Sequence, residues 1–335
     1  MVDAKVTVRG TPDAPVAELQ ADGTSVAIQG RALGALAVRA RYADGKTHAD
    51  ASIQAAAGGT VSVAGTLDAP FGIGARGGPL ASAPVDAQLT ARDLDLGVVA
   101  ALAPAVVRTA SGKLTADVKA RGPLGRPKPR GTVLVKDGRL ALGEFGDWSG
   151  IAVDAAVDED AVELRTLSVR RGGGSFTASG SARGLAESTA RVQWQAKADK
   201  LPIPYAGQDV ANVDLRAEAS GTYTAEKLDL QVKIASATVR LPSQSPRALQ
   251  PIGARPDILV GKLPEKKHAA AARPEGPPEK PFMLVAHAVA PGPFIVKGEN
   301  PKVSLELKAD VTYELAGGED YASGPIEVVL SLIHI

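Results

Sequence analysis

The chain has 335 residues, of which 44% are hydrophobic but only 4% are aromatic. Its 38 basic and 37 acidic residues nearly cancel, which argues against a nucleic-acid binder, because such a protein needs a basic surplus on one face. No cysteine is present, so disulfides, thiolate catalysis and cysteine-ligated metals are excluded.

The N-terminus carries no signal-peptide pattern, because Met1 to Lys5 leads directly into Val6-Thr7-Val8 without an apolar core. No run in the sequence reaches the ~18 apolar residues that a membrane-spanning helix needs. We therefore expect either a cytoplasmic protein or an internal fragment that has lost an N-terminal anchor. The unusual last six residues, Leu330 to Ile335, favour the fragment and are predicted to be a non-native tail.

Alternating apolar and polar residues dominate the chain and predict β-strands, since every second side chain of a strand lies on one face. In chain order the pattern covers residues 36–42, 85–91, 114–120, 151–157, 192–198, 213–219 and 228–234. Its longest run is 303–315, where the alternation has no error. At about 3.3 Å per residue, that strand would be roughly 40 Å long. The fold class predicted is all-β.

Local signals punctuate these strands. Asp95 is predicted to cap a short helix, or to begin a turn, over 95–102, packed over one end of the sheet. Asp137-Gly138 predicts a two-residue hairpin turn. The change of phase between Leu164 and Leu167 predicts a β-bulge.

The composition also divides the chain. Residues 1–241 are predicted to form a strand array, and 281–329 a shorter continuation of it. Between them, 242–280 is rich in proline, which blocks ladder hydrogen bonds, so a loop or partly disordered insertion is expected there.

No pattern of catalytic residues is present, so we predict that the chain is not an enzyme and has no cofactor. The histidines, His48, His268, His287 and His334, lack metal-ligand spacing, so no metal site is predicted. The glycine string at 72–77 lacks the following helix of a dinucleotide site and indicates a turn. Asp158-Glu159-Asp160 is interpreted as a solvated turn rather than a cation site.

A sheet with one apolar face must cover that face, and two solutions are open. In one, the side chains interdigitate in the dry core of a closed sandwich or solenoid. In the other, the sheet curls into an open trough whose apolar interior is filled by lipid. The scarcity of aromatic side chains favours the trough slightly, because Ala, Val and Leu fill a wide gap poorly.

Residues 111–127 carry a resemblance to a known family. Gly112 opens an alternating strand, and Gly122-Pro123-Leu124 leads through Pro127 to the next strand, at 130–140. This unit resembles the repeat of the TamB (translocation and assembly module) and AsmA-like proteins. The segments at 235–242, 257–260 and 293–298, and the strand from Val303, are similar to the C-terminal part of that family, and the resemblance covers roughly 59–329.

The resemblance implies a long, curled, mainly parallel sheet with a greasy interior, called a β-taco. It implies a location in the periplasm of a diderm bacterium, with an inner-membrane anchor in the full-length protein. The implied function is phospholipid transport to the outer membrane, or assembly of outer-membrane proteins beside a β-barrel partner. No catalytic residues are implied.

The function predicted from the sequence is therefore an apolar groove that binds phospholipid acyl chains. The candidate groove residues come from the two clearest C-terminal strands: Leu228, Leu230, Val232, Ile234, Val303, Leu305, Leu307 and Val311. The alternative is a closed β-helix that acts as a surface adhesin or autotransporter passenger. It would have stacked repeats of fixed length.

Overall fold

The computed structural model of the chain is built almost entirely from β-strands, which form one open 18-stranded sheet. It describes residues 2–11, 14–28, 31–69, 80–98, 107–205, 208–242, 282–299, 302–316 and 319–334. The predicted all-β class is confirmed.

The strands are long, and most have ten residues or more. In chain order they are β1 Val2–Thr11, β2 Ala14–Ile28, β3 Arg31–Ala43, β4 Lys46–Ala55, β5 Thr60–Asp68, β6 Pro84–Asp95, β7 Val107–Pro123, β8 Lys128–Leu142, β9 Gly146–Asp158, β10 Ala161–Arg171, β11 Gly174–Arg183, β12 Ala190–Tyr205, β13 Gln208–Tyr223, β14 Lys227–Arg240, β15 Met283–Glu299, β16 Lys302–Ala316, β17 Glu319–Ser323 and β18 Ile326–His334. Short 3₁₀ turns lie at Leu80–Ser82 and Gly143–Phe145. The alternation at 303–315 correctly predicted β16.

The sheet is an antiparallel meander. Each strand from β1 to β14 pairs antiparallel with the next, and so does β15 with β16. Among the described strands, β14 and β15 are the one pair that is parallel. The expectation of a mainly parallel sheet is therefore wrong. The reason is the short turns, such as Asp44-Gly45 between the paired residues Ala43 and Lys46, since parallel neighbours need long crossover connections.

The far edge of the sheet is formed by two strands. Both β17 and β18 pair antiparallel with β16, at opposite ends of it. Among the described strands no pairing joins β1 to β16, β17 or β18, so the sheet does not close into a barrel. The sheet is open and curled, as predicted.

Bulges keep the apolar side chains on one face. The register shifts between Leu164 and Leu167 in the pairing of β10 with β11, so the predicted bulge is confirmed. The hairpin predicted at Asp137-Gly138 is wrong, because β8 continues through both residues. Asp137 instead adopts a positive φ of 52° at a register shift, and such a dipeptide suits a bulge as well as a turn.

The same bulge recurs in two distant strands. At Ala91 to Leu94 in β6 and at Ala198 to Leu201 in β12, one residue between the two has a positive φ. Both flanking side chains are buried, although residues three apart in a regular strand lie on opposite faces. A glycine faces each bulge, and at Gly59 and Gly174 a Cβ would meet the facing backbone oxygen at 2.2 and 2.3 Å. The extra residue thus returns the next apolar side chain to the apolar face, but it requires a glycine at the facing position of the neighbouring strand.

The predicted helix begins where expected. The carboxylate of Asp95 accepts a hydrogen bond of 2.7 Å from the backbone N–H of Gly97, which is the geometry of a helix N-cap. Gly97 and Val98 are helical, and the rest of the predicted helix lies outside the described residues.

The predicted division of the chain can be compared with the structure only at the two boundaries of the proline-rich insertion. β14 ends at Arg240 and β15 begins at Met283, and the predicted insertion lies almost wholly outside the described residues. The two predicted strand arrays belong to one sheet. Residues of the predicted non-native tail form part of β18, so that prediction stays untested by the fold.

Candidate functional site

One face of the sheet carries unbroken rows of apolar residues that cross the strands. The first apolar row takes one residue from each of β1 to β16, in register: Ala4, Ala21, Val38, Ala51, Val63, Leu89, Val118, Gly131, Val157, Val162, Ala182, Val192, Gly221, Leu230, Ala286 and Tyr313. No charged residue interrupts it. Fifteen steps of about 4.8 Å make this row roughly 70 Å long.

A second apolar row lies beside the first, two residues along each strand. It also crosses β1 to β16: Val2, Gly23, Leu36, Ile53, Val61, Ala91, Ala116, Val133, Ala155, Leu164, Gly180, Trp194, Ala219, Val232, Ala288 and Val311. Side chains two apart in a strand share a face, so the two rows form one continuous surface, the apolar face.

Shorter rows widen the apolar face from β6 onwards. One runs from β6 to β14: Leu94, Leu114, Val135, Val153, Leu167, Ala178, Ala196, Ala217 and Ile234. Another runs from β10 to β16: Val169, Phe176, Ala198, Leu215, Ala237, Phe294 and Leu307.

All eight candidate groove residues from the sequence lie on the apolar face. Leu230 belongs to the first row, and Val232 and Val311 to the second. Ile234 and Leu307 lie in the two shorter rows, and Leu305 pairs with Val296 and Val303 with Gly298. Leu228 pairs with Leu284 on β15. β15 joins the two predicted groups, and the nearly continuous apolar run of residues 284–290, interrupted only by His287, is the signal that the candidate set missed.

The apolar face is only partly covered. Val63 and Leu89, which pair with each other in the first row, are each 40% exposed. No polar or charged residue of the described chain is buried, and the buried residues are mostly alanines. This is an open apolar surface rather than the dry core of a closed sandwich, and large exposed apolar patches mark interaction sites.

One part of the apolar face is covered by the start of the helix. Ala55, Ala91, Leu94 and Ala116 form a buried cluster, and Val98 packs against it. Ala91 is the most buried of them, at 1% exposure. The first helical residues after Asp95 therefore pack on the sheet, and the rest of the predicted helix lies outside the described residues.

The opposite face of the sheet is polar. Cross-strand ion pairs join neighbouring strands on it, for example Arg121 with Asp86 at 2.9 Å and Arg130 with Asp158 at 2.7 Å. These pairs are exposed, so each contributes well under about 1 kcal/mol, but together they mark this side as the solvated one. Glu159 also pairs with Arg130 and lies with Asp160 in the two-residue turn before β10, while Asp158 is the last residue of β9, so the acidic triplet spans the predicted turn.

One carboxylate on this face links three strands. Asp214 of β13 accepts a hydrogen bond of 2.8 Å from the backbone N–H of Lys200 on β12 and is paired with Arg240 on β14. Burial raises the pKa of Asp214, but the hydrogen bonds from Lys200 and Arg240 and the attraction of both charges outweigh it. The pKa therefore lies below the ordinary value of 3.8.

A cluster around Arg171 joins the ends of three strands. The Arg171 guanidinium lies 5.6 Å from the centre of the Trp148 ring and donates to the backbone oxygen of Pro202, at 3.2 Å, and to Asp209. Its side chain is only 12% exposed. This arginine ties the end of β10 to the ends of β12 and β13, which makes it a structural link.

The histidines and acidic residues of the described part of the chain are the side chains that could ligand a metal ion. No group of three or more of these described residues is placed to hold one. His48 and His287 lie on different parts of the polar face, His268 lies outside the described residues, and so does the glycine string at 72–77. No described helix is long and apolar enough to cross a membrane.

Comparisons with known proteins add no identification: the chain matches no family model, no curated protein and no solved structure. The class defined by the fold and the site is an open, antiparallel all-β sheet with a continuous apolar face. The resemblance to the TamB and AsmA-like proteins stays a prediction from sequence.

Proposed function

We propose that this chain is a segment of a cell-envelope protein whose apolar face carries phospholipid acyl chains between the inner and outer membranes. The observation that carries the proposal is the pair of unbroken apolar rows from β1 to β16. A row about 70 Å long is more than twice the ~30 Å thickness of a bilayer's hydrocarbon core. An extended apolar surface of this length suits transport along it better than a pocket for one ligand.

The energetics favour such a role. Each CH₂ group removed from water contributes about 0.8 kcal/mol, so exposing a chain of ~15 carbons costs on the order of 12 kcal/mol. Contact with side chains such as Val63 and Leu89 removes part of that cost at every strand. The same contact covers apolar side chains that the protein itself leaves exposed.

The proposal extends to the periplasm of a diderm bacterium, to an inner-membrane anchor in the full-length protein, and to assembly of outer-membrane proteins beside a β-barrel partner. These parts rest on the resemblance of residues 111–127 and of the later segments. The adhesin alternative depended on a closed β-helix with stacked repeats of fixed length. The antiparallel meander gives it no support, and the strands range from 5 to 17 residues rather than having a fixed length.

The test is a matched pair of substitutions on β5. Val63→Asp places a charge in the first apolar row, whereas Ser62→Asp places the same charge one residue away on the polar face. Both positions are exposed, so neither change should unfold the sheet. Lipid that co-purifies is quantified by native mass spectrometry, and lipid transfer is followed between fluorescent donor and acceptor vesicles.

We expect the Val63→Asp protein to lose bound lipid and to transfer it several-fold more slowly, while the Ser62→Asp protein behaves as the parent does. Lipid-free parent protein that does not accelerate transfer would refute the proposal. So would equal losses in the two variants, because the effect would then follow charge rather than the apolar face.

A further inference from the structure

The polar face contains a concavity that the lipid proposal does not use. It has a volume of about 1290 Å³ and extends over the strands from β9 to β15. Most of its lining side chains belong to the polar face, among them Ser181, Gln193, Ser220, Gln231 and Lys233. We call this concavity the polar groove.

A row of hydrogen-bonding side chains runs along the polar groove and beyond it. One residue from each of β10 to β17 takes part, in register: Glu163, Ser181, Gln193, Ser220, Gln231, His287, Thr312 and Ser323. No apolar residue interrupts this polar row. Seven steps of about 4.8 Å give it a length of roughly 34 Å.

The central members of the polar row have unused hydrogen-bonding capacity. Within the part of the chain that the structure describes, the side chains of Ser181, Gln193 and Ser220 make no hydrogen bond to another protein group. Gln231 is the exception, since its amide oxygen lies 3.0 Å from Nδ1 of His287, but its NH₂ group stays available. Amides and hydroxyls both donate and accept, so the row offers both kinds of partner at each strand.

The charges of the polar groove balance. Its lining contains three acidic residues, Asp158, Glu163 and Glu218, and three basic residues, Arg165, Arg183 and Lys233. A polyanion such as a nucleic acid needs a basic surplus, and a polycation needs the reverse. The balance selects a ligand that is polar but uncharged.

The geometry also argues against a peptide. An extended peptide is recognised at a sheet edge, where free backbone groups pair with it as an added strand. The polar groove lies on the face of the sheet, where the backbone groups are already paired and only side chains are offered. The hydroxyl groups of a sugar chain donate and accept along its whole length, which matches a row of glutamines and serines.

We propose that the polar groove binds a linear, uncharged oligosaccharide, which lies across strands β10 to β14 with Gln193 and Gln231 as its main hydrogen-bonding partners. These two glutamines are two strands apart, about 10 Å, with Ser220 between them. Long and short side chains thus alternate along the row, and Ser220 leaves room between the two glutamines for part of a sugar ring.

The test titrates the whole chain with defined neutral oligosaccharides: N-acetylglucosamine, glucose and maltose-type tetramers. Binding is measured by calorimetry and by chemical-shift changes of the glutamine side-chain amides. A sulfated oligosaccharide and an uncharged Gly/Ser peptide of similar length serve as competing ligand classes. The variants are Gln193→Ala, Gln231→Ala and the double variant, and Gln54→Ala on the polar face of β4, outside the polar groove, is the matched control.

We expect at least one neutral oligosaccharide to bind, each single variant to weaken that binding about fivefold, and the double variant to weaken it more than tenfold, because one hydrogen bond contributes about 1 kcal/mol. The Gln54→Ala protein should bind as the parent does. Failure of all three neutral sugars at millimolar concentration overturns the proposal. Tighter binding of the sulfated sugar or the peptide overturns it too, and so does an equal loss in the Gln54→Ala protein.

Discussion

Asp214 offers the sharpest test of how the sheet is held at its bulges. Replacement by asparagine removes the charge that pairs with Arg240 and weakens the acceptor for the Lys200 N–H, which sits at the positive-φ bulge of β12. The Asp214 side chain is 31% exposed, so its ion pair contributes at the surface scale of below about 1 kcal/mol, and the backbone hydrogen bond adds about 1 kcal/mol. We expect a loss of about 1–2 kcal/mol at pH 7, measured by urea unfolding.

The stability that Asp214 contributes should depend on pH. Because the pKa of Asp214 is lower in the folded chain than its ordinary value of 3.8, the carboxylate contributes stability above that value and loses it as pH falls through the folded pKa. The parent and the Asp214→Asn protein should therefore differ at pH 7 and converge below pH 3.8. Asp199→Asn, an exposed neighbour on β12, is the control. A difference that stays constant with pH, or an equal loss in the control, would refute the reasoning.

Two further predictions concern the helix and the cluster beneath it. Asp95→Ala removes the hydrogen-bond acceptor of the Gly97 N–H and should destabilise the start of the helix by about 1 kcal/mol. The expected readout is faster hydrogen exchange at Gly97, and unchanged exchange there would contradict the cap. Ala91→Leu adds volume at the most buried position of the cluster and should lower the free energy of unfolding by about 1–3 kcal/mol, whereas Ala64→Leu, exposed on the polar face, should change it by less than about 0.5 kcal/mol.

The strands and their apolar face could be predicted because alternation is a local signal. Residues 303–315 alternate without error, and β16 covers all of them. The bulge at Leu164 to Leu167 was equally visible, since an extra residue shifts the apolar phase. The eight candidate residues fall on one face for the same reason, although only the strand pairing shows that β15 joins them.

Which strands pair with each other could not be predicted from the sequence, because pairing joins residues that are distant along the chain. Asp137-Gly138 is compatible with a turn and with a bulge, because both place a residue at positive φ, and the pairing of β8 with β7 and β9 decides between them. The polar row could not be foreseen either. Gln193 and Gln231 are distant in sequence, and the register of two successive pairings brings them into one line.

The sameness of the two long apolar rows has a consequence for anything that moves along them. Nearly every position is Ala, Val, Leu or Gly, so a flexible apolar chain displaced by one strand, about 4.8 Å, meets almost the same surface that it left. Its binding free energy is then nearly periodic, with shallow barriers and no deep minimum at any one strand. Such a surface holds its cargo out of water without fixing its position, and net movement has to come from a difference between the two ends.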